Sequence, residues 1–208
     1  MDSVVQSWDR ITGWLQQNLP AALECIEPPA SPEDLREVSA AAGSELPPDL
    51  ITWLRLVNGM AVRVPFGSLL PTLYVPFSCA RMLERRDQLT AALGGPSNSD
   101  PAGTRSIEWH EDFLPIGDSW SDPNLVVDLR AGEQFGCIGE FDLESEGFEA
   151  PWWSSTTEML FDVAEALVSG RPALADYAAR ATRPWRQVPA YIPQLEDGRL
   201  VWQPAATG

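Results

Sequence analysis

His110 is the only histidine of the chain and lies in the sequence Trp109-His110-Glu111-Asp112. A histidine beside two acidic residues suits a general base or one ligand of a metal ion. No second histidine or pair of closely spaced cysteines accompanies it, and a metal site needs several such ligands. The sequence therefore favours an exposed loop histidine, and it predicts neither a metal nor a cofactor.

The segment Gly117-Asp118-Ser119-Trp120-Ser121-Asp122 places serines among acidic residues, as a nucleophile loop would. It does not match the G-x-S-x-G pattern of hydrolases, and a predicted strand rather than a helix follows it. Asp118, Asp122 and Asn124 offer oxygen ligands for calcium, but the Gly and Glu of an EF-hand loop are missing. The chain has no lysine and hence no P-loop. These patterns predict a solvated turn and a protein that is not an enzyme.

Acidic residues outnumber basic ones and are concentrated in the centre of the chain. The sequence has 30 Asp and Glu against 14 basic residues, all of them arginine, and a net charge of −16. Residues 108–149 contain 12 of the acidic residues and one arginine. This charge disfavours nucleic acid and anionic membranes as partners and favours a protein with a basic surface.

Tryptophans flank this acidic region, and buried aromatic rings are typical anchors of protein interfaces. The candidate partner-binding residues are Asp118, Trp120, Asp122, Glu140, Asp142, Glu144, Trp152 and Trp153. Because side chains alternate along strands, some of these carboxylates must point elsewhere. The alternative for Trp109, Trp152 and Trp153 is that they cover the sheet as part of the core.

Apolar residues at helical spacing, with start and stop signals, predict the helices that would position these side chains. Helices are expected over 4–18, 32–42, 48–57 and 79–93, and from the capping box at Ser155 to the stop at Gly170. Leu50, Leu54 and Val57 should be buried.

Short apolar runs separated by turn residues predict strands at 62–64, 73–75, 113–116, 125–129 and 135–138. Their connections are too short for parallel crossovers, so the sheet should be antiparallel and span about residues 60–142. Residues 94–106 read as a surface loop. The prediction is a single α+β domain with a mainly antiparallel central sheet flanked by helices.

Several of these segments together resemble the SUKH superfamily, also called the Smi/Knr cell-wall-assembly-regulator family. They are an alanine-rich helix ending at Gly43, the sequence Leu46-Pro47-Pro48-Asp49-Leu50, Asn58-Gly59, strands at 114–117, 125–129 and 136–138, and the helix 155–170. The resemblance implies a SUKH-like domain over residues 1–170. Residues 171–208 would form an extension packed on it, with a short helix at 174–180 and a hairpin turned at Asp197-Gly198.

The resemblance also implies a function. Bacterial proteins of this kind are largely immunity proteins that neutralise toxins, and fungal relatives regulate cell-wall synthesis through protein contacts. We expect an immunity protein that binds a toxin, with a nuclease as one candidate, through its acidic surface; the alternative is a regulatory or scaffold protein. The start MDSVVQSWDR lacks the features of a secretory signal, and Cys25, Cys79 and Cys137 are too far apart for a disulfide framework, which favours buried thiols in the cytoplasm. The arginine bias points to a bacterial source, and the oligomeric state is not predicted.

Overall fold

The protein is described by a computed structural model covering residues 1–61, 67–94, 100–119, 122–142, 144, 147–180 and 189–206. The helices in these residues are α1 (Val4–Asn18), α2 (Pro20–Leu23), α3 (Pro32–Ala42), α4 (Pro48–Leu54), α5 (Cys79–Leu93), α6 (Thr156–Ser169) and α7 (Ala175–Arg180). The strands are β1 (Val75–Pro76), β2 (Phe113–Asp118), β3 (Asn124–Asp128), β4 (Cys137–Asp142), β5 (Gly147–Phe148), β6 (Tyr191–Glu196) and β7 (Arg199–Pro204). Strands β1 to β5 form one antiparallel sheet in chain order, and β6 pairs with β7. The predicted α+β class is confirmed.

Side-chain caps start the helices where the sequence predicted them. The Ser31 hydroxyl accepts the Asp34 N–H at 3.1 Å, and the Asp34 carboxylate accepts the Ser31 N–H at 2.7 Å, so α3 begins with a reciprocal cap. At α6, Ser155 accepts the Glu158 N–H, but the Glu158 carboxylate accepts from Ser154 instead of closing the predicted box. These bonds satisfy amides that would otherwise lack partners.

The Asn58-Gly59 pair joins the helices to the sheet. Helix α4 ends earlier than predicted, so this pair lies beyond it. Gly59 has φ +78, and a Cβ there would lie 2.3 Å from the Phe77 carbonyl carbon, so only glycine fits. The Asn58 side-chain oxygen accepts the Cys79 N–H at 2.7 Å and so contributes to the start of α5.

The sheet differs from the prediction at its ends. The run predicted at 62–64 lies outside the described residues, and of the run at 73–75 only Val75 is in a strand. The strand predicted at 135–138 begins at Cys137, because Gly136 has φ +86 and breaks the extended backbone. Strand β5 was not predicted, since two residues carry no periodic signal.

The sheet is buried on both faces. On one face Val127 and Ile138 join the main core, which helices α1, α4, α5 and α6 contribute to. On the other face Val126 and Phe141 join a smaller group, here called the outer cluster. Its members are Leu89, Trp109, Phe113, Val126, Cys137, Phe141 and Phe148. Residues next to each other in a strand thus serve opposite faces.

A buried ion pair organises the outer cluster. Asp128 is 0% exposed, and its carboxylate accepts hydrogen bonds from the Arg130 backbone, from two nitrogens of the Arg130 guanidinium and from the Gly103 N–H. The guanidinium carbon lies 4.9 Å from the centroid of the Phe113 ring. Arg130 also donates to the Thr104 carbonyl at 2.7 Å, which fixes the 101–104 loop on the sheet.

The C-terminal hairpin contributes to the main core. Leu200 is 1% exposed, and the Trp202 indole donates to the Ser68 carbonyl at 3.0 Å. Tyr191 and Ala173 exchange backbone hydrogen bonds, which connects the hairpin to the segment after α6.

We predict that Leu54→Ala lowers the free energy of unfolding by about 2 to 5 kcal/mol, because Leu54 is 1% exposed and its removal leaves a cavity. Chemical denaturation measures the change. Leu93→Ala, at a helical leucine that is 37% exposed, is the control and should have a much smaller effect. Equal effects of the two substitutions would refute the packing of α4.

We further predict that Asp128→Asn destabilises the protein by about 3 to 5 kcal/mol, because it leaves the buried Arg130 without its counter-charge. The matched control is Glu33→Gln, which removes the exposed ion pair with Arg36 and should change stability by about 1 kcal/mol or less. The comparison is made by denaturation at neutral pH. An Asp128→Asn variant with the same free energy of unfolding as wild type would show that the ion pair does not stabilise the outer cluster.

Candidate partner-binding surface

The strand register brings the five predicted carboxylates to one end of the sheet. Asp118 pairs with Asn124, and Asn124 pairs with Phe141, so the end of β2, the start of β3 and the end of β4 lie side by side. The group, here called the acidic sheet end, comprises Asp118, Asp122, Glu140, Asp142 and Glu144. The structure thus places residues that are far apart in sequence at one edge of the fold.

These carboxylates share an end but not a face. Asp118 is directed towards α5, where its carboxylate lies 3.3 Å from the Arg81 guanidinium. Glu140 lies on the opposite face and accepts a hydrogen bond of 2.6 Å from the Tyr74 hydroxyl. Both carboxylates are therefore engaged within the chain, which leaves them less available to a partner.

Asp122 and Glu144 are the exposed members of the group. Asp142 is half-buried, and its carboxylate accepts the Glu144 N–H at 3.0 Å. Asp122, just before β3, and Glu144, just after β4, are therefore the carboxylates that are most accessible to a partner.

Two tyrosines respond to this concentration of negative charge. Burial raises the pKa of the Tyr74 hydroxyl far above its ordinary value, and Glu140 and Asp142 raise that pKa further. Burial also raises the pKa of Tyr191, with an added effect of Glu140. Both hydroxyls remain protonated at neutral pH and add no negative charge, and the Tyr74 hydroxyl acts as a donor to Glu140.

The tryptophans of this region that lie in the described residues are buried and do not form an exposed patch. Trp152 and Trp153 are 4% and 2% exposed, so the expectation that they project as anchors is wrong. Trp152 packs against Tyr74, and Trp109 lies in the outer cluster with its indole donating to Thr90. These rings cover the sheet as part of the core, which is the alternative that the sequence left open. Trp120 lies outside the described residues.

The groups considered for catalysis are bound within the fold. His110 is 4% exposed, contrary to the predicted exposed loop position, because its ring packs against Phe113. Its Nδ1 accepts the Asp112 N–H at 3.1 Å. Ser119 is also buried, and its hydroxyl donates to the Pro123 carbonyl at 2.6 Å.

The cysteines are free thiols. Burial raises the pKa of both the Cys79 and Cys137 thiols to about 12, so neither forms a thiolate readily. Cys25 is only half-buried, which corrects the expectation for that residue. Among the described residues, no three His, Cys, Asp or Glu side chains are grouped so that they could hold a metal ion.

A cavity beside α6 was not predicted. Asp162 is 8% exposed, and its Oδ2 accepts the Trp153 indole N–H at 2.9 Å and the Leu174 N–H at 2.8 Å. Leu174 has φ +60, a conformation that leucine rarely adopts. The only feature of the sequence that could have indicated this cavity is Asp162, a charged residue among the buried positions of α6.

The sequence comparisons identify the family. A model of the SMI1 / KNR4 family (SUKH-1) matches residues 29–162, which is more than half of the chain. The protein belongs to this family, as the motifs in the sequence suggested. The chain is also similar to a glucan synthesis regulatory protein of Neurospora crassa, with 24% identity over an alignment of 208 residues. That alignment covers 81% of this chain but only 39% of the Neurospora protein.

None of the helices in the described residues combines the length and the apolar character that crossing a bilayer requires.

We predict that Asp162→Asn changes how stability depends on pH. Burial raises the pKa of Asp162, so the folded protein holds this proton more tightly than the unfolded chain. The contribution to stability is therefore present below the ordinary pKa of about 4 and is lost as the pH rises through the higher folded value. Asparagine does not titrate and keeps an oxygen for both donors. Denaturation series from pH 4 to 7 should show the variant gaining stability relative to wild type.

Leu93→Ala provides the control for this experiment, because it removes no titratable group. Its stability difference from wild type should barely change over the same pH range. A stability difference between wild type and Asp162→Asn that is constant with pH would contradict the raised pKa.

Proposed function

We propose that the protein is a non-catalytic protein-binding module whose acidic sheet end binds a partner with a basic surface. The supporting observation is the convergence of carboxylates from three neighbouring strand ends within the most acidic part of the chain. A concentrated negative field attracts a basic partner from a distance and increases the rate of association.

The partner in this proposal is a toxin that the protein neutralises, as an immunity protein does. Nuclease toxins carry basic clefts for nucleic acid, and a carboxylate-rich sheet end can occupy such a cleft in place of phosphates. The proposal places this protein in the cytoplasm, where free thiols such as those of Cys79 and Cys137 persist.

The hydrogen bonds that Ser119 and His110 make within the chain support the proposal that the protein is not an enzyme. Ser119 donates to a backbone carbonyl, and the Nδ1 of His110 accepts from a backbone amide. A nucleophile and its base need instead to be within reach of each other and of a substrate.

A regulatory role in cell-wall assembly is the second candidate. It is favoured by the similarity to the Neurospora protein, whose name describes regulation of glucan synthesis. A regulator would also bind proteins, so the two candidates differ in the partner and not in the type of surface. Deletion of the gene distinguishes them, because loss of a regulator changes cell-wall composition without any toxin present.

We predict that the triple substitution Asp122→Asn, Asp142→Asn and Glu144→Gln slows association with the partner much more than dissociation. These positions avoid Asp118 and Glu140, whose carboxylates contact Arg81 and Tyr74, and asparagine at position 142 keeps an oxygen for the Glu144 N–H. Raising the salt concentration to about 0.5 M should slow the wild type in the same way, because the Debye length falls below the ~10 Å found at 0.1 M. Co-expression with a toxin from a neighbouring gene gives the cellular measurement, which is survival.

The control has the same change in charge on the helical side of the fold. Asp9→Asn, Glu24→Gln and Glu45→Gln alter exposed residues and should protect cells as well as the wild type does. Equal protection by the two triple variants, with association rates independent of salt, would show that the acidic sheet end is a solvated surface.

A further inference from the structure

The cavity beside α6 has walls built from aromatic rings. Its volume is about 150 Å³, and Trp152, Trp153 and Tyr177 line it. The two indoles meet edge to face with centroids 5.7 Å apart, and Tyr177 is tilted against Trp152 at 6.2 Å. These three residues are also members of the main core, so packing holds this part of the lining in place.

Carboxylates give this cavity its charge. Glu158, Asp162 and Asp176 line it together with one arginine, Arg171. Both hydrogen bonds to the Asp162 carboxylate reach Oδ2. In the described part of the chain, no donor lies within hydrogen-bond distance of Oδ1, and the nearest cation is Arg171 at 4.0 Å. Asp162 is thus a residue that is 8% exposed, and its Oδ1 accepts no hydrogen bond from the described residues, so this oxygen can accept one from a ligand in the cavity.

The cation that suits such a cavity is a guanidinium group. Aromatic faces attract cations, and a guanidinium is planar, weakly hydrated and able to stack on rings while it donates to a carboxylate. Its four heavy atoms are fewer than the six of benzene, which an apolar cavity of about 150 Å³ accommodates. An anion would face a net negative lining.

Arg171 shows that a guanidinium is already tolerated at this place. Its side chain is 42% exposed, and its Nη2 lies 3.5 Å from Asp176 and 4.0 Å from Asp162. These long contacts on an exposed side chain are weak, so Arg171 can move into solvent when another guanidinium enters.

The cavity is connected to the acidic sheet end through two side chains. Trp152 lies 6.1 Å from Tyr74, measured between ring centroids, and the Tyr74 hydroxyl donates to Glu140. We propose that this cavity binds an arginine side chain of the basic protein partner, displacing Arg171. The inference rests on the proposed function only for the basic character of the partner.

The test uses N-acetyl-L-arginine amide as the probe, because both of its ends are capped as in a protein chain. The Trp153 indole N–H, which donates to Asp162, is followed by NMR and assigned with Trp153→Phe. We expect a saturable shift with a dissociation constant in the millimolar range. Arg171→Ala should bind the probe severalfold more tightly, and Asp162→Asn should bind it at least tenfold more weakly.

N-acetyl-L-citrulline amide is the matched control, since a neutral urea replaces the guanidinium. Equal binding of the citrulline compound, or no shift with the arginine probe in wild type and Arg171→Ala, would overturn the proposal. Binding of free L-arginine alone would overturn it too, by indicating a small-molecule site. If Asp162→Asn fails to fold, Asp176→Asn at the rim serves instead and should weaken binding.

Probe binding is measured without any partner, which separates this test from that of the proposed function. If the cavity does not bind the probe, the proposed arginine site is overturned even when partner association depends on the acidic sheet end. Conversely, salt-independent partner association would overturn the acidic sheet end without changing the affinity of the cavity for the probe.

Discussion

The buried pair of Asp128 and Arg130 is the interaction on which the outer side of the sheet depends. It is a charge pair with little access to water, and such pairs persist only when hydrogen bonds satisfy them on several sides. Here the backbone of the 101–104 loop supplies part of that satisfaction, and aromatic rings cover the guanidinium. The loop, the rings and the last residue of β3 are consequently held as one unit.

This arrangement also explains the charge balance of the central region. Its one arginine is committed to an internal carboxylate, so it does not offset the acidic residues at the surface. Both faces of the sheet are covered, by the main core on one side and by the outer cluster, to which α5 contributes Leu89, on the other. The five carboxylates of the acidic sheet end lie at the strand ends and in their turns, where the proposed partner would meet them.

The sequence predicted those parts of the fold that local chemistry determines. Caps such as Ser31 and stops such as Gly43 act on their own helices, so their signals can be read without a structure. Exposure is different, because it depends on what packs from elsewhere in the chain. His110 packs against Phe113, and the Trp153 indole donates to Asp162, and no spacing rule predicts these contacts of two buried residues. The sequence predicted that the strand ends are acidic. It did not predict which of their carboxylates lie on each face of the sheet.

The hydrogen bond from Trp202 to Ser68 has a consequence for synthesis on the ribosome. These residues are 134 positions apart, so the segment around Ser68 emerges long before its partner exists. Contacts of such long range form slowly and only after most of the chain has been made. Until then the Ser68 N–H, which donates to the Leu200 carbonyl in the finished fold, lacks this partner, and Leu69 and Leu70 lack the part of the main core that Leu200 and Trp202 supply. A ribosome that stalls before residue 200 would therefore hold a chain whose main core is incomplete at this segment.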